Sequence, residues 1–589
     1  MSLPQIVVLD AGGQYCHLIA RKVRELGVYA EVRPSETPAS DLRGVRGLIL
    51  SGGPSSVYEP GSPSMDPEIL HSGVPVLGIC YGQQWMAHHL GGAVRQGERG
   101  EYGLAYLDVR DPDGLLFAGT EARQQVWMSH RDQVERAPSG FQILASTPTC
   151  PAAAIGAPAR RLYGVQFHPE VVHTRHGARI LSNFLFSICG CTVDWNPKHQ
   201  IPALEERIRQ TAGGRNVFFF VSGGVDSTVA YTLCLRALGD ARVYGAYVDT
   251  GLMRAGETEF VRSVFARLGS HGFRVEDARS RFLDALAGVC DPERKRHIIG
   301  EKFVEVQEEI LQSGHFLEAN WILGQGTIYP DTIESGGASK ADVIKTHHNR
   351  VAGIQRLITE NRIVEPLSLL YKDEVREIGR ELGLPAELLE RHPFPGPGLA
   401  IRCLCSEHQQ APVQVEEGWL LPVRSVGVQG DSRSYRPVLA LEEAPAPGGE
   451  SQERATALIN RISGINRVVA RVKSSAPLMD MKVWESGLDA TRLARLRAAD
   501  AVVRKLCHES GFEKEVWQFP VILIPVGVAG LPDSVVLRPV HSVDGMTAQS
   551  VPMPSPLLEE MATLLLSIPG VCAVFYDLTH KPPGTIEWE

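Results

Sequence analysis

The run Val217-Phe-Phe-Phe-Val221 is apolar at every position, and Ser222-Gly-Gly-Val-Asp-Ser-Thr228 follows it directly, ahead of a helical segment from Thr228 to Leu238. A short strand with no polar alternation is buried on both faces, the condition of a parallel strand covered by helices. This stretch is therefore expected to form part of an open α/β sheet, with its glycine-rich loop at a strand-to-helix turn. Gly223 and Gly224 let the backbone approach an anion. The Ser222, Ser227 and Thr228 hydroxyls, with the free amides at the helix N-terminus, donate toward it. The loop lacks the Gly-Lys-Ser/Thr ending of a Walker loop, so no lysine of its own reaches a terminal phosphate. A plain glycine-rich turn would explain a lone Gly-Gly, but not seven suitable residues behind a buried strand.

At 589 residues the chain is too long for one core and should divide into about three or four domains. A net charge of −9 without a long basic run argues against nucleic acid or a membrane surface as partner. The start, Met-Ser-Leu-Pro-Gln, has no basic n-region, and no apolar stretch approaches a bilayer span, so a cytosolic location is expected. The eleven cysteines show no paired metal-type spacing and read mostly as buried thiols.

Cys80 stands apart. In Val74-Pro-Val-Leu-Gly-Ile-Cys-Tyr-Gly-Gln-Gln84 a short strand runs into it and a helix begins at once, with Gly78 and Gly82 on either side. A thiol on so tight a turn is presented to solvent over helix amides. A single cysteine is more often structural, so the reading needs a base. Leu162-Tyr-Gly-Val-Gln-Phe-His-Pro-Glu170 offers one, as a strand expected to end at His168. Pro169 keeps His168 extended, which places His168 and Glu170 on one face, base and orienting carboxylate. Leu48-Ile-Leu-Ser-Gly-Gly-Pro54 ends in glycines whose amides can meet an oxyanion.

These three motifs, in this order, resemble a class I glutamine amidotransferase over about residues 5 to 190, and the Ser222 loop resembles that of ATP pyrophosphatases. The resemblance implies that Cys80 attacks the glutamine amide, with Gly52, Gly53 and Tyr81 at the oxyanion and Gln84, Ser129 and His130 lining the pocket; Arg131 stands where the family usually has glycine. The order of the two modules, with Val248-Asp-Thr-Gly-Leu-Met-Arg254, Gly324-Gln-Gly-Thr-Ile-Tyr-Pro-Asp331, Ile344-Lys-Thr-His-His-Asn349, His392-Pro-Phe-Pro-Gly-Pro-Gly398 and Lys581-Pro-Pro-Gly-Thr-Ile-Glu-Trp-Glu589, resembles the glutamine-hydrolysing GMP synthase family, in its longer, eukaryotic-type form.

The resemblance implies a multidomain α/β chain: an amidotransferase domain (1–195), a Rossmann-like ATP pyrophosphatase domain (196–400), and a small α+β unit present twice (401–510 and 511–589). The second copy would carry a tail that binds xanthosine monophosphate (XMP). Internal echoes support the duplication, since Leu421-Pro-Val, Arg436-Pro-Val, Ala455-Thr-Ala-Leu-Ile and Ile462-Ser-Gly-Ile recur as Ile524-Pro-Val, Arg538-Pro-Val, Ala562-Thr-Leu-Leu-Leu and Ile568-Pro-Gly-Val. ATP would be held by residues 222–228, with Asp249 at a strand end and Lys345; Thr250 replaces the family's usual asparagine. Asp226, an acid in an anion loop, suits Mg²⁺, with a helix-capping role as the alternative. The implied XMP site draws on Pro395, Gly396, Arg433, Gln518, Lys581, Ile586 and Glu587. Substrates would be XMP, ATP and glutamine. A duplicated unit meets within one chain the contacts a dimer would make, which favours a monomer over a homodimer. Two other readings stay open: another glutamine-dependent amidotransferase with the same ATP loop, and a nucleotide-binding regulatory partner protein.

Overall fold

A computed structural model describes all residues except 1–2, 335–351, 392–393, 430–431, 446–448, 463 and 543–546. The chain forms two compact units, one of residues 1–204 with 328–339 and 369–377, the other of 205–327, 340–368 and 378–589.

The first unit is built on a nine-stranded sheet. Its strands are β1 (Ile6–Asp10), β2 (Ala30–Pro34), β3 (Gly47–Leu50), β4 (Val76–Ile79), β5 (Ala93–Val109), β6 (Arg123–Arg136), β7 (Gln142–Ser146), β8 (Ala154–Ala157) and β9 (Leu162–Val165), in the spatial order β2-β1-β3-β4-β9-β8-β7-β5-β6. The first five in that order are parallel; β8, β7, β5 and β6 continue the sheet antiparallel. β3, β4 and β9 are buried at every residue, as their unbroken apolar and glycine sequences require. The helix Cys16–Glu25 buries Cys16, Ile19, Ala20 and Val23, one face at helical spacing. The two later segments complete this unit: Arg24 donates to the Leu369 carbonyl (2.8 Å) and Glu374 (3.1 Å), and lies 4.7–5.2 Å from the rings of Tyr29, Trp195, Tyr329 and Tyr371.

In the second unit, β10 (Asn216–Phe220), β11 (Val243–Asp249), β12 (Phe273–Asp277), β13 (Trp321–Gly324) and β14 (Ile363–Val364) make a wholly parallel sheet in the order β12-β11-β10-β13-β14. The helix behind β10 starts at Val225, three residues before the expected Thr228, because Gly224 is the last extended residue and accepts from the Thr228 hydroxyl at 2.8 Å. The glycine-rich loop is thus shorter than its sequence suggested, and Val225, Asp226 and Ser227 already belong to the helix.

A seven-stranded sheet follows in the same unit. Its central pair, Arg467–Ser474 and Val571–Asp577, is antiparallel; each is flanked by a parallel strand (Ser432–Leu441, Asp533–Leu537) and then by an antiparallel one (Gly418–Gln429, Val521–Ile524). With the helices Glu450–Arg461 and Ser555–Leu566 placed before the central strands, this is one α+β unit written twice, joined through its last strand. The chain end is fixed. Asp577, fully buried, accepts from Arg467 (2.9 Å), Arg538 (2.7 Å) and the Trp588 ring (2.8 Å), and Lys295 pairs with Glu589 at 2.6 Å.

Candidate functional site

Cys80 lies between β4 and the helix Tyr81–His89 with φ +52° and ψ −105°, a left-handed conformation that costs a non-glycine residue on the order of 1–3 kcal/mol. Packing imposes it. A β-carbon at Gly82 would sit 2.3 Å from the Leu50 carbonyl, so only glycine lets this helix approach β3 closely enough to force the turn. The Cys80 amide donates to the Val165 carbonyl at 2.8 Å, which ties the turn to the neighbouring strand.

β9 ends at Val165 and not at His168, because from Gln166 on the backbone donates elsewhere: Gln166 to the Ala153 carbonyl (2.8 Å) and His168 to that of Trp127 (3.0 Å). The expected pairing is nevertheless present. His168 Nδ1 is 2.7 Å from Glu170 Oε1, and both side chains are buried. Burial alone would lower the His168 pKa, but the Glu170 carboxylate and Cys80 overcome it and push it up to about 10. The imidazole is thus a strong proton acceptor beside a thiol. Gly52 lies against both groups; a β-carbon there would be 3.2 Å from His168 Cε1 and 3.6 Å from Cys80 Cβ.

The Ser129 carbonyl is 3.8 Å from Cys80 Sγ, whereas Gln84 turns its amide to the Asp132 carbonyl at 2.7 Å. His130 is buried and engaged with Glu101 at 3.1 Å. Tyr81 donates its hydroxyl to the Pro63 carbonyl at 2.5 Å. Gln166, which the sequence reading passed over, places Nε2 3.5 Å from Cys80 Sγ. Its position two residues before the base, in the same motif, was the available signal.

In the second unit the Ser222 and Ser227 hydroxyls lie 3.1 Å apart across the loop, Gly224 donates to Ser222 Oγ at 3.3 Å, and Gly223 takes φ +77°. Asp226 stands in the first helical turn. Asp249 caps its own turn through the Gly251 amide (2.9 Å) and lies 4.0 Å from Arg279. Lys345 lies outside the described residues, and Arg433 is on the strand Ser432–Leu441. Pro395 accepts from the Gly398 amide (2.9 Å), one residue past Gly396 and Pro397. Gln518 and Lys581 make backbone bonds to Val540 and Ala548, and the Ile586 carbonyl accepts from Arg538 at 2.9 Å. Glu587 is held by a two-pronged pair with Arg402, at 2.9 and 2.6 Å. Arg402 is 185 residues away in sequence, and no local pattern pointed to it.

The glutamine amidotransferase class-I family model matches residues 7–188, and the GMP synthase C-terminal domain model matches residues 505–588. The protein named "Probable GMP synthase [glutamine-hydrolyzing]" of Leptospira interrogans is 41% identical over 607 residues, covering 99% of each chain. GMP synthase [glutamine-hydrolyzing] of Thermomicrobium roseum is 41% identical, covering 100% of this chain and 97% of its own, and that of Thermobifida fusca 40% identical over 99% and 98%.

This chain belongs to the glutamine-hydrolysing GMP synthase family. Two groupings stand on different sheets: Cys80 with the His168–Glu170 pair on the first, and the hydroxyl-bearing loop 222–228 on the second.

Proposed function

We propose that this chain carries out glutamine-dependent GMP synthesis by two half-reactions divided between its two compact units. It is a ligase of the carbon–nitrogen class. The observation that carries the division of labour is the strained Cys80 with the His168–Glu170 pair beside it, in one chain with the Ser222 loop.

In the first half-reaction His168 takes the Cys80 proton and the sulfur adds to the glutamine amide carbon. Backbone amides at Gly53 and Tyr81 receive the oxyanion, with Gly52 leaving room for the substrate and Gln84, Ser129 and His130 framing the pocket. His168 returns its proton to the departing ammonia, and water then releases glutamate from the thioester. Glu170 fixes the imidazole so that Nε2 faces the sulfur.

In the second, the C2 oxygen of XMP attacks the α-phosphorus of ATP and pyrophosphate leaves into the loop of Ser222, Gly223, Gly224, Val225, Ser227 and Thr228. Ammonia adds at C2 and AMP departs, giving GMP. Asp249 and Lys345 are assigned to ATP; Pro395, Gly396, Arg433, Gln518, Lys581, Ile586 and Glu587 to XMP. The oxygen donors of Ser222, Asp226, Ser227 and Thr228 suit a hard cation, so Asp226 would hold Mg²⁺, which when bound offsets phosphate charge. The domain limits 1–195, 196–400, 401–510 and 511–589, a monomeric state and a cytosolic location belong to the same proposal. The pairing of the two C-terminal copies within one sheet supports the monomer, and the eleven free thiols support a reducing compartment. No helix among the described residues is long and apolar enough to cross a membrane.

The test is a purified-protein assay with XMP, Mg-ATP and glutamine. GMP, AMP, pyrophosphate and glutamate should form in equal amounts, and release of ADP and phosphate in their place would reject the adenylyl route.

A further inference from the structure

β5, β6 and the turn between β7 and β8 bring together three groups from distant parts of the first unit. One carboxylate oxygen of Glu101, one ring nitrogen of His130 and the Cys150 sulfur lie within 4.8 Å of one another, with His130 and Cys150 buried. The glutaminase chemistry uses neither the Glu101 carboxylate nor the Cys150 thiol.

The hydrogen bonds around the cluster do not close unless a proton or a metal ion lies between His130 and Glu101. His130 Nδ1 is 3.1 Å from the Asp132 carbonyl, which can only accept, so Nδ1 carries a hydrogen. In a neutral ring Nε2 is then a lone pair, yet it faces Glu101 Oε2, another acceptor, at 3.1 Å. A proton or a metal ion belongs between them. Three further features favour the metal. A thiol stands as third donor. The other Glu101 oxygen is held by the Thr149 hydroxyl and by that of Thr147 at 2.9 Å. The Thr147 hydroxyl also accepts from the Cys150 amide at 2.9 Å, fixing the turn that carries the sulfur. Imidazole and carboxylate each anchored from behind, by a carbonyl and by hydroxyls, is the arrangement found around metal ligands.

We propose that Glu101, His130 and Cys150 form a binding site for a divalent transition metal of the zinc class. Sulfur, imidazole nitrogen and carboxylate oxygen together suit a borderline-soft ion. Bond lengths of about 2.0–2.3 Å put tetrahedral ligand atoms roughly 3.3–3.8 Å apart, within the span observed, and leave a fourth position open. Loading forms a metal–sulfur bond and sends the thiol proton to solvent. It also ties β5, β6 and the β7–β8 turn together one residue from Ser129, whose carbonyl meets Cys80.

Cobalt(II) is the probe, added to the full-length Cys80→Ala protein so that the nucleophile contributes no thiolate. One equivalent should produce a near-ultraviolet thiolate-to-cobalt charge-transfer band with visible bands of tetrahedral intensity, and zinc(II) should bleach both. The band should vanish in Cys80→Ala/Cys150→Ser. In Cys80→Ala/Thr147→Val, which keeps all three ligands, zinc affinity measured against a chromophoric chelator should fall about 10–100-fold. Absence of the band in folded Cys80→Ala protein, or a band that survives Cys150→Ser, overturns the proposal and leaves a proton between His130 and Glu101.

Discussion

The two proposed reaction centres are built on opposite plans. Around Cys80 the working groups are buried and already in contact: the base is 2.7 Å from its carboxylate, the nucleophile's amide is bonded to the adjoining strand, and backbone strain is stored in the nucleophile itself. Around Ser222 the hydroxyls run from exposed at Ser222 to buried at Thr228 and bond to their own loop, Asp249 faces Arg279, and Glu587 is tied to Arg402. Under the proposed assignment the difference follows from the substrates. Attack on one small amide needs a few atoms held within tenths of an ångström, which strands packed side by side can supply. Adenylylation must gather two nucleotides, so its parts come from segments far apart in the chain, and phosphate charge takes the place of preformed contacts.

The sharpest way to break this contrast is to disable one centre and read the other. Cys80→Ala should lower glutamine-dependent GMP formation by on the order of 10⁴-fold or more while ammonia-dependent formation continues. Loss of both rates would show the centres to be inseparable. Glu170→Gln should follow, with a fall of about 10³–10⁴-fold in glutaminase turnover, since the imidazole loses its orienting partner.

The same substitution tests the electrostatics. His168 is raised from the ordinary histidine range to about 10, so its proton stabilises the fold fully below about pH 6.5, and that contribution is lost as pH rises through 10. Labelled-histidine NMR should show the His168 titration near pH 10 in the wild type and much lower in Glu170→Gln. An unchanged midpoint would remove Glu170 as the cause.

In the second centre, Asp226→Asn should reduce ammonia- and glutamine-dependent synthesis alike, by about 10²–10³-fold. A loss confined to the glutamine reaction would misplace Asp226. The smallest effect is expected at Arg402→Lys, where a two-pronged pair becomes a single contact: about tenfold in the XMP KM, with little change in the glutaminase rate measured without nucleotide.

What was legible in the sequence was local. The Cys80 elbow, the His168–Glu170 pair and the Ser222 loop each occupy fewer than ten residues, and strand and helix periodicity around them fixes which way their side chains face. The repeated C-terminal unit was legible because its echoes recur in order. Boundaries were less so: β9 stops three residues early because Gln166 and His168 donate to Ala153 and Trp127, and the loop helix starts three residues early because Gly224 already accepts from Thr228. The Arg402–Glu587 pair, the Arg24 cage and the Glu101–His130–Cys150 cluster left no trace in local pattern, since each joins residues that only the tertiary fold makes neighbours.

The most direct test of the whole account follows one atom. Given XMP, Mg-ATP and amide-¹⁵N glutamine, the wild-type protein should place one ¹⁵N in each GMP formed, and Cys80→Ala should do so only from ¹⁵N-ammonium. Unlabelled GMP from the wild type, or labelled GMP from Cys80→Ala supplied with glutamine alone, would contradict it.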